Sequence, residues 1–369
     1  MAASRGGAAA RSRHDADEID AAMQIAIGAS ETVRGSTSPN PPVGAVILDR
    51  DGRIAGVGAT QPPGGPHAEI VALEAAGRAA RGGTAVVTLE PCDHQGRTGP
   101  CSRALVDAGI AEVHFAAADP NPRAAGGAGT LAEAGVFVSR GVRERDVETG
   151  PLQAWLHRER TGRPLVRWKY AASLDGRSAA ADGTSQWITG PAARAVVHAQ
   201  RATLDAIVVG TGTVIADDPW LTARTPEGDL AAHQPVRIVV GLRDIPEGAR
   251  VLDDAAPTVL VRTHDPAEIA AALADYTDVL VEGGPRLAGA FLAAGLVDRI
   301  EAYIAPIVLG DGPAAAVSAG VTTLAHAHRF RFESAESAGP DVLLHYVRDE
   351  ATDSATPAGG RDQQTSEGT

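Results

Sequence analysis

The chain has 369 residues, 44% of them apolar, and sets 33 basic residues against 46 acidic ones for a net charge of −13. That length exceeds one ordinary domain, two are expected, and the apolar content is ample for a core in each. The acidic balance, with no basic stripe, disfavours nucleic acid as substrate or partner, and no apolar run is long enough to span a bilayer. Two cysteines in a chain of this size argue for a reducing compartment, the cytoplasm.

Met1 to Arg13 is made of Ala, Gly, Ser and Arg without an acid. Its composition resembles an organellar transit peptide but it lacks an apolar h-region, so residues 1–14 are expected to form a disordered extension. Helical spacing of Ile19, Met23, Ala26 and Ile27 predicts a helix over Asp15–Ser30. Val43–Leu48 and Arg53–Val57 read as strands around an Asp-Arg-Asp-Gly turn. A helix carrying His67 and Glu69 follows, then the apolar strand Ala85–Leu89, which delivers Glu90-Pro91-Cys92 at its carboxyl end, where α/β sheets place ligands. Helix Ser102–Ala108, strand Glu112–Ala116, helix Thr130–Ala134 and strand Val136–Val138 complete a mixed three-layer α/β domain over 15–145.

Residues 146–163 are charged and helical in pattern, with Trp155 and Leu156 as anchors, and are read as a connector. A second α/β domain over 164–349 has strands at Leu165–Ala171, Ala206–Val209, Val236–Val240, Thr258–Val261, Asp278–Val281 and Arg299–Ile304. Helices at Ala192–Arg201, Ala267–Ala274 and Arg286–Ala294 lie between them, so this sheet should be largely parallel. Each half has its own apolar content and should be separable near residues 145–163. The polar stretch 350–369 is read as a solvated, disordered tail.

Both cysteines, Cys92 and Cys101, sit in one segment, with His67-Ala68-Glu69 upstream. One histidine and two thiolates leave a tetrahedral zinc one open position for water, and Glu69 can reach that water. This is the H-x-E…P-C…C arrangement of zinc-dependent nucleobase deaminases. Buried core thiols, a disulfide and a structural metal are the alternatives. A structural zinc normally has four protein ligands, and the fourth would have to be His94, which would leave Glu69 without a role. Prolines before both cysteines can mark helix starts, where thiolates ionise more readily.

In the second half, strand Val279–Val281 runs into Glu282-Gly283-Gly284-Pro285 and a helix, an arrangement that can cradle phosphate. Gly210-Thr211-Gly212-Thr213 is a second glycine-rich turn; neither is a full G-x-G-x-x-G, and ordinary tight turns read as well on spacing alone. Lys169 is the only lysine among the 33 basic residues. In a chain that otherwise uses arginine, it marks a place where a compact ammonium has a function, against the alternative of a surviving surface lysine.

These residues resemble the bifunctional riboflavin-biosynthesis enzymes of the RibD family, in which a pyrimidine deaminase is fused to a reductase. The resemblance runs from about residue 20 to 348 and rests on Pro39 to Gly44, His67-Ala68-Glu69, Glu90-Pro91-Cys92 to Pro100-Cys101 with its eight-residue spacer, and Asp119 to Pro122. In the second half it rests on Lys169-Tyr170-Ala171, Ser173 to Arg177, Ser185 to Thr189, Thr213 to Pro219, Leu221 to Arg224 and Glu282-Gly283-Gly284. It implies a cytidine-deaminase-like first domain and a dihydrofolate-reductase-like second domain. The implied substrate is 2,5-diamino-6-ribosylamino-4(3H)-pyrimidinone 5′-phosphate, deaminated with zinc and then reduced by NADPH from ribosyl to ribityl. By the same resemblance Asn40, His94, Arg97 and Thr98 contact the pyrimidine substrate in the first domain. Ala171, Trp187, Thr213, Asp217 and the loop Gly284, Pro285, Arg286, Leu287, Ala288, Gly289 and Ala290 hold NADP. Ser185, Arg201, Leu221, Arg224 and Glu282 hold the sugar phosphate, Lys169 faces the reacting sugar, and a homo-oligomer would form through the reductase half. A cytidine or nucleic-acid deaminase with an unrelated second domain is disfavoured by the acidic charge and the long cysteine spacer. A non-catalytic regulatory paralogue would have no need of Glu69.

Overall fold

The computed structural model describes residues 12–94 and 99–349. The expected disordered segments up to residue 11 and from residue 350, together with Arg97 and Thr98, lie outside the described residues. Helix α1 (Ala16–Glu31) opens at Asp15, whose carboxylate accepts the Glu18 N–H at 2.8 Å while Glu18 accepts the Asp15 N–H. This reciprocal cap is worth about 1 kcal/mol, and it starts the helix so that Ile19, Met23 and Ala26 face the core. The predicted hairpin follows as β1 (Gly44–Leu48) and β2 (Ile54–Ala59), then α2 (Ala68–Ala76) and β3 (Thr84–Leu89). Next come α3 (Cys101–Ala108), β4 (Glu112–Ala117), α4 (Gly127–Glu133), β5 (Phe137–Arg140), α5 (Glu144–Thr149) and α6 (Gln153–Thr161).

These five strands form one sheet in the order β2-β1-β3-β4-β5, antiparallel from β2 to β3 and parallel beyond. Every residue of β1, β3 and β4 is buried. A strand buried on both faces needs helices on both, the three-layer arrangement expected from the apolar runs. Residues just before α1 also pack here: the Ser12 hydroxyl and the Arg13 N–H both donate to the buried Glu112 carboxylate, at 2.9 and 2.7 Å.

The rest of the chain supplies β6 (Leu165–Ser173), α7 (Pro191–Arg201), β7 (Ala206–Gly210), α8 (Thr211–Asp217), β8 (Val236–Val240) and β9 (Thr258–Val261). It continues with α9 (Pro266–Leu273), β10 (Asp278–Val281), α10 (Pro285–Ala293), β11 (Arg299–Ala305), β12 (Phe330–Ala338) and β13 (Asp341–Arg348). Two compact units result, and they are interleaved in sequence: Met1–Leu165 with Ala195–Val281, and Val166–Arg194 with Glu282–Thr369. In the first unit, β10, β7, β8 and β9 are parallel neighbours over a core of Leu204, Ile207, Val209 and Leu280. In the second, β6 pairs parallel with β11, β11 antiparallel with β13, and β13 antiparallel with β12.

Two features depart from the sequence reading. The expected turn at Gly210–Thr213 is the start of helix α8, capped by Gly210. The expected parallel pattern also gives way to an antiparallel hairpin, β12–β13, whose first strand is mostly exposed and lacks clean alternation.

Candidate active site

Helix α2 lies close against β2 because β2 carries glycines there. A Cβ on Gly58 would stand 2.3 Å from the Ala68 carbonyl, and one on Gly56 2.2 Å from that of Ala72. That close approach sets His67 at the N-cap of α2 and Glu69 in its first turn. Strand β3 ends at Leu89 and hands the chain to Glu90-Pro91-Cys92, while Cys101 is the first residue of α3. Glu90 and Asp93, on either side of Cys92, are each held by hydrogen bonds. Glu90 accepts N–H groups of Gly126 and Ala128 at the head of α4, and Asp93 accepts the hydroxyls of Ser102 and Thr130. Gly127 permits this, since a Cβ there would overlap the Pro91 carbonyl.

As a result His67, Cys92 and Cys101 offer ligand atoms that all lie within 4.8 Å of one another. The His67 Nδ1 is 3.6 Å from the Cys92 sulfur and 3.3 Å from that of Cys101. Both thiols are buried and unbridged. A hydrogen bond from Cys101 and another from His67 hold the Cys92 thiol below its usual range. Among the described residues no fourth His, Cys, Asp or Glu joins the cluster. His94 is exposed and lines the same pocket without joining the cluster. Three converging soft and borderline donors with one open side fit a catalytic zinc. Glu69 is 4% exposed, and burial, reinforced by the Cys92 charge, pushes its carboxyl up to about 7.

His67, Cys92 and Glu69 form part of the wall of a cavity of about 240 Å³, also lined by Asn40, His94, Asp119, Asn121, Trp155 and Glu159. Burial raises Asp119 to about 6, although its carboxylate accepts the Asn121 N–H at 2.8 Å. Asp119 and Asn121 belong to a motif that carried the resemblance but no assigned role. Trp155 and Glu159 come from α6, in the segment read as a connector, and nothing local in the sequence marks them as pocket residues.

The reductase candidates divide between the two units. In the first, Arg201 ends α7 and donates to the Thr222 carbonyl at 3.2 Å, and Thr213 and Asp217 lie on α8. Leu221 is buried with φ of 55°, and Arg224 donates to the Gly228 carbonyl beside the Trp220 ring. In the second, Lys169 and Ala171 lie on β6, where the Lys169 ammonium is 3.8 Å from a Glu282 oxygen and 5.5 Å above the Tyr303 ring. Ser185 is partly buried, and the exposed Trp187 ring carries the Arg194 guanidinium at 4.5 Å. Within Gly284–Ala290 the helix predicted from Arg286 is present and starts one residue earlier, at Pro285. Gly284 caps α10 and Pro285 opens it, whereas Ala288 and Gly289 are buried, Gly289 against the Val317 carbonyl. Gly-Gly-Pro reads as a loop, yet Pro at the first helical position favours the helix.

Residues 16–117 match the cytidine and deoxycytidylate deaminase zinc-binding region, and residues 164–344 match the RibD C-terminal domain. The riboflavin biosynthesis protein RibD of Mycobacterium tuberculosis is 58% identical over 330 residues, covering 89% of this chain and 97% of that one. RibD of Escherichia coli is 41% identical, covering 88% and 98%. Acinetobacter baumannii RibD superposes with a TM-score of 0.80 at 36% identity, over 91% of this chain and all of that one. The diaminohydroxyphosphoribosylaminopyrimidine deaminase/5-amino-6-(5-phosphoribosylamino)uracil reductase of Thermotoga maritima superposes with 0.82 at 31%, over the same shares. With its zinc-binding deaminase region and its reductase domain both matched in order and along most of its length, the chain belongs to the RibD family of riboflavin biosynthesis proteins.

Proposed function

We propose that this enzyme carries out two consecutive steps of riboflavin biosynthesis. Hydrolytic deamination of 2,5-diamino-6-ribosylamino-4(3H)-pyrimidinone 5′-phosphate comes first, followed by NADPH-dependent reduction of the ribosyl group to ribityl. The product is 5-amino-6-ribitylaminouracil 5′-phosphate. The observation that carries this reading is the convergence of His67, Cys92 and Cys101 beside a buried Glu69 in the wall of a cavity, in a chain aligned with RibD proteins along most of its length.

His67, Cys92 and Cys101 would hold zinc, which when bound would supply Lewis-acid activation of a water molecule. Glu69 would take a proton from the water and pass it to the ring nitrogen, then take the remaining proton of the added hydroxyl and give it to the amino group, which leaves as ammonia. Asn40 and His94, with Arg97 and Thr98, orient the pyrimidine. For the second step NADPH supplies the hydride, held by Ala171, Trp187, Thr213, Asp217 and the head of α10. The Arg201 and Arg224 guanidiniums grip the phosphate as planar donors. Ser185, Leu221 and Glu282 hold the sugar, and the Lys169 ammonium meets its hydroxyls. Residues 15–145 and 164–349 house the two activities, joined over 146–163. The enzyme acts in the cytoplasm on a small molecule, as a homo-oligomer through the reductase half. The net charge of −13 and the lack, among the described residues, of a helix long and apolar enough to cross a membrane agree with that setting.

The test is to analyse the purified protein for metal, then incubate it with the diaminopyrimidine phosphate and follow ammonia before and after adding NADPH. One zinc per chain, ammonia release, and NADPH loss that depends on it are expected. Absence of zinc, or NADPH oxidation without prior ammonia release, overturns the reading.

A further inference from the structure

Asp205, just before β7, holds three donors on a single carboxylate oxygen. The backbone N–H groups of Thr277 and Asp278 reach its Oδ2 at 2.7 and 3.0 Å, and the Ser38 hydroxyl donates to the same atom at 2.9 Å. The Ser38 hydroxyl shares a further hydrogen bond with that of Thr277, also at 2.9 Å. Ser38 lies inside a tight turn closed by the Asn40 N–H donating to the Thr37 carbonyl at 2.8 Å. The three residues that leave this turn, Pro39, Asn40 and Pro41, line the zinc cavity. Just ahead of it Arg34 reaches the Asp278 carboxylate at 3.5 Å. One wall of the deaminase cavity is thus tied, 167 residues along the chain from Ser38, to a strand entry in the second half.

We infer that Asp205 is a positioning residue for deamination: through Ser38 it fixes the turn that sets Asn40 and its flanking prolines against the bound pyrimidine. This rests on the deaminase reading of that cavity. The hydrogen bond to an ionised carboxylate is the strong kind, and it restrains the turn that carries Asn40. The zinc ligands are held separately, by the starts of α2 and α3 and by the hydrogen bonds of Glu90 and Asp93 beside Cys92. Loosening the turn therefore alters how substrate is bound and leaves the metal in place. Neither Ser38 nor Asp205 is among the residues placed on the sugar phosphate or NADP, and among the described residues the Ser38 hydroxyl donates only to Asp205 and Thr277. Reduction of the already deaminated compound is accordingly an internal control.

The experiment uses the full-length zinc enzyme with Ser38→Ala, Asp205→Asn and the double variant. Each single variant should raise the KM for deamination about five- to tenfold with kcat changed less than about threefold, the scale of one charge-assisted hydrogen bond. Zinc content and NADPH oxidation on the deaminated compound should match wild type. The double variant should be no worse than the weaker single variant, because both changes remove one shared interaction. Ser38→Ala tests the tie even if Asp205→Asn folds poorly, since it leaves both backbone hydrogen bonds of Asp205 intact. Unchanged deamination KM in Ser38→Ala, a parallel loss of both activities, or additive effects overturn the inference. A wild-type enzyme that releases no ammonia refutes the deaminase reading itself, a separate and distinguishable failure.

Discussion

Cys101 follows His67 by only 34 residues, and every residue lining the zinc cavity belongs to one compact unit. The reductase candidates run from Lys169 to Ala290 and fall in both units. The contrast follows from the chemistry. A metal needs three donors converging on one point, so the chain delivers them on two helix starts and a strand end that pack directly on each other. A dinucleotide and a sugar phosphate are long ligands that spread their contacts over many weakly diagnostic residues. The first kind of site is rigid and compositionally marked; the second is marked only by the order of its motifs.

Four substitutions probe that contrast, from the largest expected effect to the smallest. Glu69→Gln should keep zinc yet cut ammonia release by about a thousandfold or more, because an amide cannot shuttle a proton. Retention of more than a few per cent of the rate would assign the proton transfers to another group. Lys169→Met should slow NADPH oxidation about a hundredfold by deleting the ammonium that faces Glu282 and Tyr303. Deamination and zinc content should stay at wild-type levels, and a loss of both activities would mean that the lysine holds the fold. Gly58→Ala places a methyl 2.3 Å from the Ala68 carbonyl, so α2 must shift. A cost of about 1–3 kcal/mol in thermal or denaturant unfolding, with weaker zinc retention in competition with a chelator, is expected. Unchanged values would show that α2 adjusts freely. Glu112→Gln weakens the acceptor for Ser12 and Arg13 and should cost about 1 kcal/mol with both activities intact. A fall in deaminase turnover would tie the N-terminal segment to the cavity.

The cluster of His67, Cys92 and Cys101 was legible because both cysteines and a His-x-Glu leave few other readings. The five strands of the first sheet were legible because their apolar runs are bounded by turn residues. Helix α8 was not, since Gly210-Thr211-Gly212-Thr213 combines residues of low helix propensity that form a helix only when packed on β7 and β8. Hairpin β12–β13 escaped because Phe330–Ala338 carries Arg, Glu and Ser on largely exposed faces, leaving no alternating apolar signal. Trp155 and Asp205 escaped for a different reason. Their roles at the cavity come from tertiary placement of residues far along the chain from His67, and no local spacing encodes that. A fragment ending at Gly150 would lack both.

The interleaving of the two units also dictates an order of synthesis. Arg167 on β6 is paired in register with Arg299 on β11, and its guanidinium reaches Glu301, 134 residues later. β6 is translated early, but its β11 edge stays unfilled until Arg299–Ala305 has left the ribosome. The first unit's five-stranded sheet has its last strand at Arg140 and its core completed by Leu156, so it can pair first. Non-local parallel pairing is slow, and an unpaired edge is the hazard in such an interval. Nascent chains stalled before residue 299 should therefore show a protease-resistant first sheet with β6 still cleavable, and protection of β6 should appear only once β11 and β13 are added.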